Sequence, residues 1–325
     1  MYPKAQDWFD RRTTTGEQWD RLSLTETKAA QSVSVVLPAR NEEATVGHIV
    51  EALRVELMER VPLIDELIVI DSDSWDRTAA VARAAGARVV QQDEVLPGWV
   101  NRPGKGEALW KSLQVTHGDV VAFIDADLED FDPQFAVGLV GPLLADSSVE
   151  FVKAFYDRPL KSGQILLPAG GGRVTEILAR PLLNLHWPLL AGVVQPLAGE
   201  YAARRSLLER LPFVSGYGVE IAMLIDVLET AGLDSMVQVD LGSRRHRNSS
   251  DEALGRMAAQ VYLALLSRVE RHGYGVLTID PVTELTQFTR DGDAFIPHTS
   301  DVAIIERPPM ADVMEYQNRA LERQR

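Results

Sequence analysis

The chain has 325 residues, 46% hydrophobic and 25% charged, enough apolar surface for one large α/β domain or two smaller ones and too much for a disordered chain. Lys and Arg number 33 against 47 Asp and Glu, a net charge of −14, which argues against nucleic-acid binding by the whole surface. With no cysteine, disulfides, thiolate metal sites and cysteine nucleophiles are excluded, and a reducing cytoplasm suits the chain.

The N-terminal stretch MYPKAQDWFDRRTTTGEQWDR carries charges throughout and reads as no signal peptide. Residues 1–30 are polar and aperiodic and are expected to form an arm. Val33 to Leu37 is a β-branched strand run stopped by Pro38, and Val46, Ile49, Val50, Leu53 and Leu57 follow at helical spacing. Strands at Glu66–Ile70, Arg88–Gln91 and Asp119–Ile124 alternate with helices at Thr78–Ala85 and Glu107–Thr116. This pattern predicts an α/β fold with a mostly parallel, Rossmann-like sheet covered on both faces.

Beyond Pro133 the alternation loosens. A helix to Leu144, a strand at Glu150–Tyr156, helices around Val174–Leu185 and Val219–Thr230, a strand at Met236–Leu241 and a long helix from about Asp251 to Val269 are expected. The greasy stretch Pro181–Gly199 is broken by Asn184, His186, Gln195 and three prolines, so it is not a spanning helix. Roughly the last 50 residues read as irregular, a segment placed to close over a site. The expected division is an arm (1–30), a part of alternating strands and helices (31–155) and a looser part with a C-terminal tail (156–325).

Ligands of open α/β sheets bind beyond the carboxyl ends of the strands, and three strands here end in polar clusters: Pro38-Ala39-Arg40-Asn41-Glu42-Glu43, Asp71-Ser72-Asp73-Ser74 and Asp125-Ala126-Asp127. The last is an i, i+2 carboxylate pair, which lets one acid face a ribose while the other reaches a hard cation such as Mg²⁺ or Mn²⁺. A leaving pyrophosphate needs that cation. Gly104-Lys105-Gly106 is no P-loop, since five residues separate Gly98 from Gly104 and Gly106 stands where Ser or Thr is required. Lys105 on a Gly-flanked turn before a helix suits a phosphate oxygen. Gly170-Gly171-Gly172-Arg173-Val174-Thr175 opens a helix and reads as an anion site, with Gly172, Arg173 and Thr175 as donors. Arg244-Arg245-His246-Arg247-Asn248 is the only dense cationic run, and His246 is a candidate to complete a metal site with Asp127. Glu220 lies along an apolar helical stripe and is a candidate to face a sugar hydroxyl.

A nucleotide loop, a D-x-D and a separate anion pocket suit a nucleotide-sugar donor meeting a phosphorylated acceptor. In order and spacing, LPARNEEATV, ELIVIDSDSWDRT, RPGKGEALW, VVAFIDADL, GGGRVTE, GEYAARR, GYGVEI and LGSRRHRN resemble the glucosyl-3-phosphoglycerate synthases and their mannosyl-3-phosphoglycerate relatives, from about Val33 to Met310. The resemblance implies a GT-A glycosyltransferase fold and a retaining transfer of glucose or mannose from UDP-glucose or GDP-mannose to the 2-hydroxyl of 3-phosphoglycerate, giving the precursor of a compatible solute. It further implies that Pro38, Ala39, Asn41, Glu42 and Ser72 hold base and ribose, with Asp125 on the ribose side and Lys105 on the phosphates. Asp127 and His246 would hold the metal. Arg173, Thr175, Tyr217 and Asn248 would receive the acceptor, and Glu220 would orient the sugar. Where glucosyl members resemble LPALNEE, DSGSTDDT and DSDL, this chain has Arg40, Asp73 with Trp75, and Ala126, which leaves the donor open. A cytoplasmic homodimer without nucleic-acid or membrane partners is expected. The rivals are a related-fold transferase acting on a lipid phosphate and a non-catalytic sugar-nucleotide-binding protein.

Overall fold

Apolar runs become strands and 3.6-spaced runs become helices. A computed structural model describes residues 1–157, 160–162, 165–167, 172–244 and 250–323. The chain opens with α1 (Pro3–Arg12), β1 (Thr13–Thr15) and α2 (Arg21–Lys28). It then alternates β2 (Val33–Ala39), α3 (Val46–Arg54), β3 (Glu66–Asp71), α4 (Thr78–Ala85), β4 (Arg88–Gln91), α5 (Lys105–Val115), β5 (Val120–Phe123), α6 (Gln134–Ala145) and β6 (Phe151–Asp157). The short strands β7 (Leu160–Ser162) and β8 (Ile165–Leu167) precede α7 (Arg180–His186), β9 (Tyr201–Arg204), α8 (Arg205–Leu208), β10 (Phe213–Val214), α9 (Val219–Ala231) and β11 (Met236–Ser243). After α10 (Asp251–Arg271) come β12 (Glu284–Asp291), β13 (Ala294–Asp301), β14 (Glu306–Arg307) and α11 (Met314–Arg323).

The main sheet runs β1-β11-β6-β9-β5-β2-β3-β4. Neighbours are parallel except at β9, which is antiparallel to both β5 and β6. Strand alternation divides the core in two. Val35 and Leu37 of β2 pack with Ile49 and Leu53 of α3 and Leu139 and Val140 of α6. Val36 points the other way, toward Trp110 and Leu113 of α5 and Ile221 and Leu224 of α9. Each such fully buried aliphatic stabilises the fold by roughly 1.5–3 kcal/mol, so both faces are closed and the strand-end loops are left to bind ligands. Among the described residues, no helix is long and apolar enough to cross a membrane.

The structure departs from the sequence reading at four places. Residues 1–30 are no loose arm: β1 pairs with β11 at the sheet edge, and Trp8 is buried with its indole N–H donating to the Met236 carbonyl at 2.9 Å. β2 continues through Pro38 to Ala39, because pairing with β5 has already ended at Val36 and the missing donor costs no ladder bond there. β9 was not expected, since four residues with two alanines carry little strand signature. The tail is not irregular: β12 and β13 form an antiparallel pair around the Asp291-Gly292-Asp293 turn, with Gly292 at φ 58°.

Candidate active site

The site lies at the carboxyl ends of β2, β3 and β5, where the α5 start and the segments around Gly199, Gly216 and Arg244 approach. The β2 loop is stapled to the β3 loop. Asn41 has φ 60°, a left-handed conformation that Asn tolerates. Its backbone N–H donates to Ser74 Oγ at 2.9 Å and its Oδ1 accepts from the Trp75 N–H at 3.0 Å. The Glu42 N–H donates to Thr78 Oγ1 at 2.7 Å. These bonds shape one wall of a cleft of about 460 Å³ lined by Pro38, Ala39, Arg40, Glu42, Ser72, Lys105, Asp125, Asp127, Tyr217 and Gln260, among others.

The D-x-D lies in the turn just beyond β5. Ala126 is buried in the core and its carbonyl accepts from Thr45 Oγ1 at 2.6 Å, which turns Asp125 and Asp127 to the cleft side. Lys105 bonds the Asp125 carboxylate, donates to the Gly199 carbonyl at 2.9 Å and stands 3.2 Å from Glu220 Oε1. The Arg244 guanidinium spans the other side, 3.2 Å from Asp125, 2.8 Å from Asp127 and 2.6 Å from Glu200 Oε1, and it donates to the Tyr156 hydroxyl at 2.6 Å.

Three glycines permit this density. A Cβ at Gly199 would overlap the Asp125 carboxylate and crowd Lys105. One at Gly104, φ 108°, would strike the backbone of Gly216, and one at Gly106 would strike the Val214 carbonyl. The close approach of α5 to the Ser215-Gly216-Tyr217 turn therefore depends on residues without side chains.

Electrostatics hold the cluster ionised. Burial alone would lower the Lys105 pKa, but the Asp125 carboxylate and then Glu220 outweigh it and hold the ammonium well above the usual lysine range. Burial opposes ionisation of Asp125 too, yet Lys105 and Arg244 keep that carboxyl well below the usual carboxylate range. Glu200 is the opposite case: burial raises its pKa despite Arg244 beside it.

Of the residues singled out from the sequence, the structure gathers Pro38, Ala39, Glu42, Ser72, Lys105, Asp125, Asp127 and Tyr217 into the cleft, with Glu220 against Lys105. Lys105 is not on a turn before the helix; it is the first residue of α5, which begins two residues earlier than expected. Asn41 does not line the cleft and instead ties the two loops together. Gly172, Arg173 and Thr175 also lie outside the cleft lining. They precede and open a π-helical segment, Thr175–Ala179, that packs on α10, and Arg173 Nη1 reaches Asp251 Oδ1 at 2.6 Å. His246 and Asn248 fall outside the described residues.

Among the described residues, no three His, Asp or Glu side chains gather as a metal centre. Asp127 nonetheless fits a hard cation: a carboxylate with 36% of its side chain exposed, at the cleft, leaving coordination positions for other oxygens. Sequence reasoning assigned no role to Arg244, Glu200 or Tyr156. GEYAARR and RRHRN contain two of them, but nothing local reveals that β9 and the end of β11 converge on Asp125.

Comparison with known proteins settles the family. Residues 34–161 match the model of glycosyl transferase family 2. The glucosyl-3-phosphoglycerate synthase of Mycolicibacterium smegmatis is 48% identical over 303 residues, 93% of this chain and 97% of that one. The chain belongs to the glucosyl-3-phosphoglycerate synthase family. It is a glycosyltransferase with the GT-A fold. The mannosyl-3-phosphoglycerate synthase of Rubrobacter xylanophilus superposes with a TM-score of 0.88 at 40% identity, covering 95% of this chain and 99% of that one. The Mycobacterium tuberculosis family member, solved with Mn²⁺, UDP-glucose and phosphoglyceric acid, gives 0.78 at 47% identity, over 90% of this chain and 94% of that one.

Proposed function

We propose that this family member transfers a hexose, glucose or mannose, from a nucleoside diphosphate sugar to the 2-hydroxyl of 3-phosphoglycerate with retention of configuration. The product, a glycosyl-3-phosphoglycerate, is the precursor of a compatible solute. The observation that carries the reading is the Lys105–Asp125–Glu220 charge cluster at the strand-end cleft. Family members bound to a UDP-sugar and phosphoglyceric acid support it.

In this reading the segment from residue 31 to 155 holds the donor. Pro38, Ala39, Asn41, Glu42 and Ser72 hold base and ribose, Asn41 by fixing the loop, and Asp125 stands on the ribose side. Lys105 meets the diphosphate and stabilises the charge that develops as it leaves. Mg²⁺ or Mn²⁺, held by Asp127 and His246, supplies Lewis-acid neutralisation of that same charge. From residue 156 onward the chain receives the acceptor, with Gly172, Arg173 and Thr175 on its phosphate and Tyr217 and Asn248 beside it. Glu220 orients the sugar. The leaving phosphate oxygen takes the acceptor's proton on the same face, so no separate carboxylate base is needed.

The β12–β13 pair exposes Phe288 and Phe295 on one face, apolar surface that suits a second copy in a homodimer, and the cysteine-free composition suits the cytoplasm. The test is nucleoside diphosphate release with UDP-glucose, GDP-glucose, UDP-mannose and GDP-mannose, each with and without 3-phosphoglycerate. Release that depends on the acceptor with at least one donor is expected; release indifferent to 3-phosphoglycerate for all four overturns the reading.

A further inference from the structure

Lys153, on β6, is 2% exposed, and no step above uses it. A buried lysine gives up hydration worth several kcal/mol (~) unless its surroundings replace it, so its partners are informative. Its Nζ donates to the Ala198 carbonyl at 2.7 Å and lies 4.8 Å from the centre of the Tyr201 ring. The pairing of β6 with β9 sets Lys153 opposite Tyr201, and the Ala154 N–H donates to the Glu200 carbonyl at 3.1 Å. The two residues after Ala198 are contact points of the site: the Gly199 carbonyl receives Lys105 at 2.9 Å, and the Glu200 carboxylate receives Arg244 at 2.6 Å.

We propose that Lys153 is a positioning residue of the transfer site: by holding the Ala198 carbonyl it fixes the turn from Ala198 to Glu200, and so sets where Lys105 and Arg244 stand. The proposal rests on the roles given above to Lys105 and Glu220. Gly199 leaves little slack in this turn, because even a Cβ added there would overlap the Asp125 carboxylate and the Lys105 ammonium. A small shift of Ala198 is therefore passed directly to the groups facing donor phosphate and sugar.

The groups facing Lys153 come from every element around it: Lys105 of α5, Asp125 just beyond β5, Glu200 just before β9, the Tyr201 ring of β9, and Glu220 of α9. Burial dominates and pulls its ammonium down to about 7; Glu220, Glu200 and Asp125 oppose the shift and Lys105 adds to it. Above that pH the neutral amine still donates to Ala198 and leaves Glu220 and Asp125 to Lys105. Below it, a second ammonium competes for those carboxylates and adds positive charge near a sugar ring that becomes cationic in glycosyl transfer. The expected consequence is a kcat that rises as pH rises through about 7.

The test is Lys153→Met, with kcat measured across pH 5.5–9 and the affinity for UDP with Mn²⁺ measured by calorimetry. A kcat at least about tenfold lower, a UDP affinity lowered by a clearly smaller factor and a missing limb near neutral pH are expected, because Lys105 and the sugar-side groups do most of their work as the diphosphate leaves. An unchanged kcat with an unchanged pH profile overturns the proposal, as does a loss of UDP affinity equal to the loss of kcat. If Lys153→Met does not fold, the cysteine-free chain allows Lys153→Cys to be alkylated with bromoethylamine and refolded. The resulting side chain restores the donor with a more acidic amine and should move the limb to lower pH; a limb that stays in place counts against Lys153. Lys105→Met serves as the control: if that variant keeps full activity, the site reading itself fails, whatever Lys153 does.

Discussion

Around the strand-end cleft, Lys105, Asp125, Glu220, Glu200 and Arg244 interlock through largely buried ion pairs, whereas at the proposed acceptor segment, outside the cleft lining, Arg173 meets Asp251 across a pair whose side chains are 46% and 91% exposed. The two arrangements differ in what a ligand must displace. Exposed pairs contribute about 0.2–1 kcal/mol, so a phosphate that displaced Asp251 from Arg173 would forfeit little from that pair. Breaking one partner of a buried pair leaves an uncompensated charge worth about 3–5 kcal/mol. In the proposed reading, the donor side is thus organised before substrate arrives, and the acceptor side completes itself on the ligand.

Substitutions test this contrast from the strongest effect downward. Asp127→Ala removes the carboxylate that meets both Arg244 and the proposed cation; kcat should fall by about a hundredfold or more, with Tm little changed because strand-end loops carry little core packing. Steady-state kinetics beside a thermal melt checks it, and full activity in EDTA would remove Asp127 from the metal. Gly199→Ala inserts a methyl between Asp125 and Lys105; overpacking there should cost about 1–3 kcal/mol of stability and lower kcat more than the acceptor KM. Equal effects on both would show the two sides to be one rigid unit.

Arg173→Ala should raise the acceptor KM by roughly ten- to a hundredfold, the equivalent of a charge-assisted contact of about 1.5–3 kcal/mol, and leave donor affinity nearly unchanged. Donor affinity lost in step would dissolve the contrast. The smallest effect belongs to Asp251→Asn: stability within about 0.5 kcal/mol of the parent and, with the competing carboxylate gone, an acceptor KM equal or slightly lower. A clearly higher KM would mean that Asp251 holds Arg173 ready rather than occupying it.

The contrast also explains what was legible in the sequence. β2 to β6 were readable because each carries consecutive apolar residues bounded by polar ones, and Asp125 and Asp127 were readable because they directly follow the apolar run of β5. β9 was not: Tyr201-Ala202-Ala203-Arg204 gains its strand conformation from pairing with β5 and β6 on both sides, which is long-range information. Arg244, Glu200 and Lys153 were illegible for the same reason, since each acquires its role from residues more than 40 positions away. The N-terminal segment misled in the opposite direction. Its one decisive residue, Trp8, is embedded among charges, and the bond to the Met236 carbonyl that docks α1 cannot be inferred from spacing. The β12–β13 turn, by contrast, carried a plain signal in Asp291-Gly292 flanked by strand formers, which the reading of the tail as irregular passed over.

In the proposed same-face transfer the leaving diphosphate, supported by Lys105, takes the acceptor's proton and Glu220 only orients the sugar. Proton NMR of the product formed from an α-linked donor and 3-phosphoglycerate tests it most directly. An α-configured anomeric centre, read from the small H1–H2 coupling of a glucoside or from the one-bond C1–H1 coupling of a mannoside and seen again in the slower product of Glu220→Gln, is the predicted result. A β-linked product would contradict both the retention and the role given to Glu220.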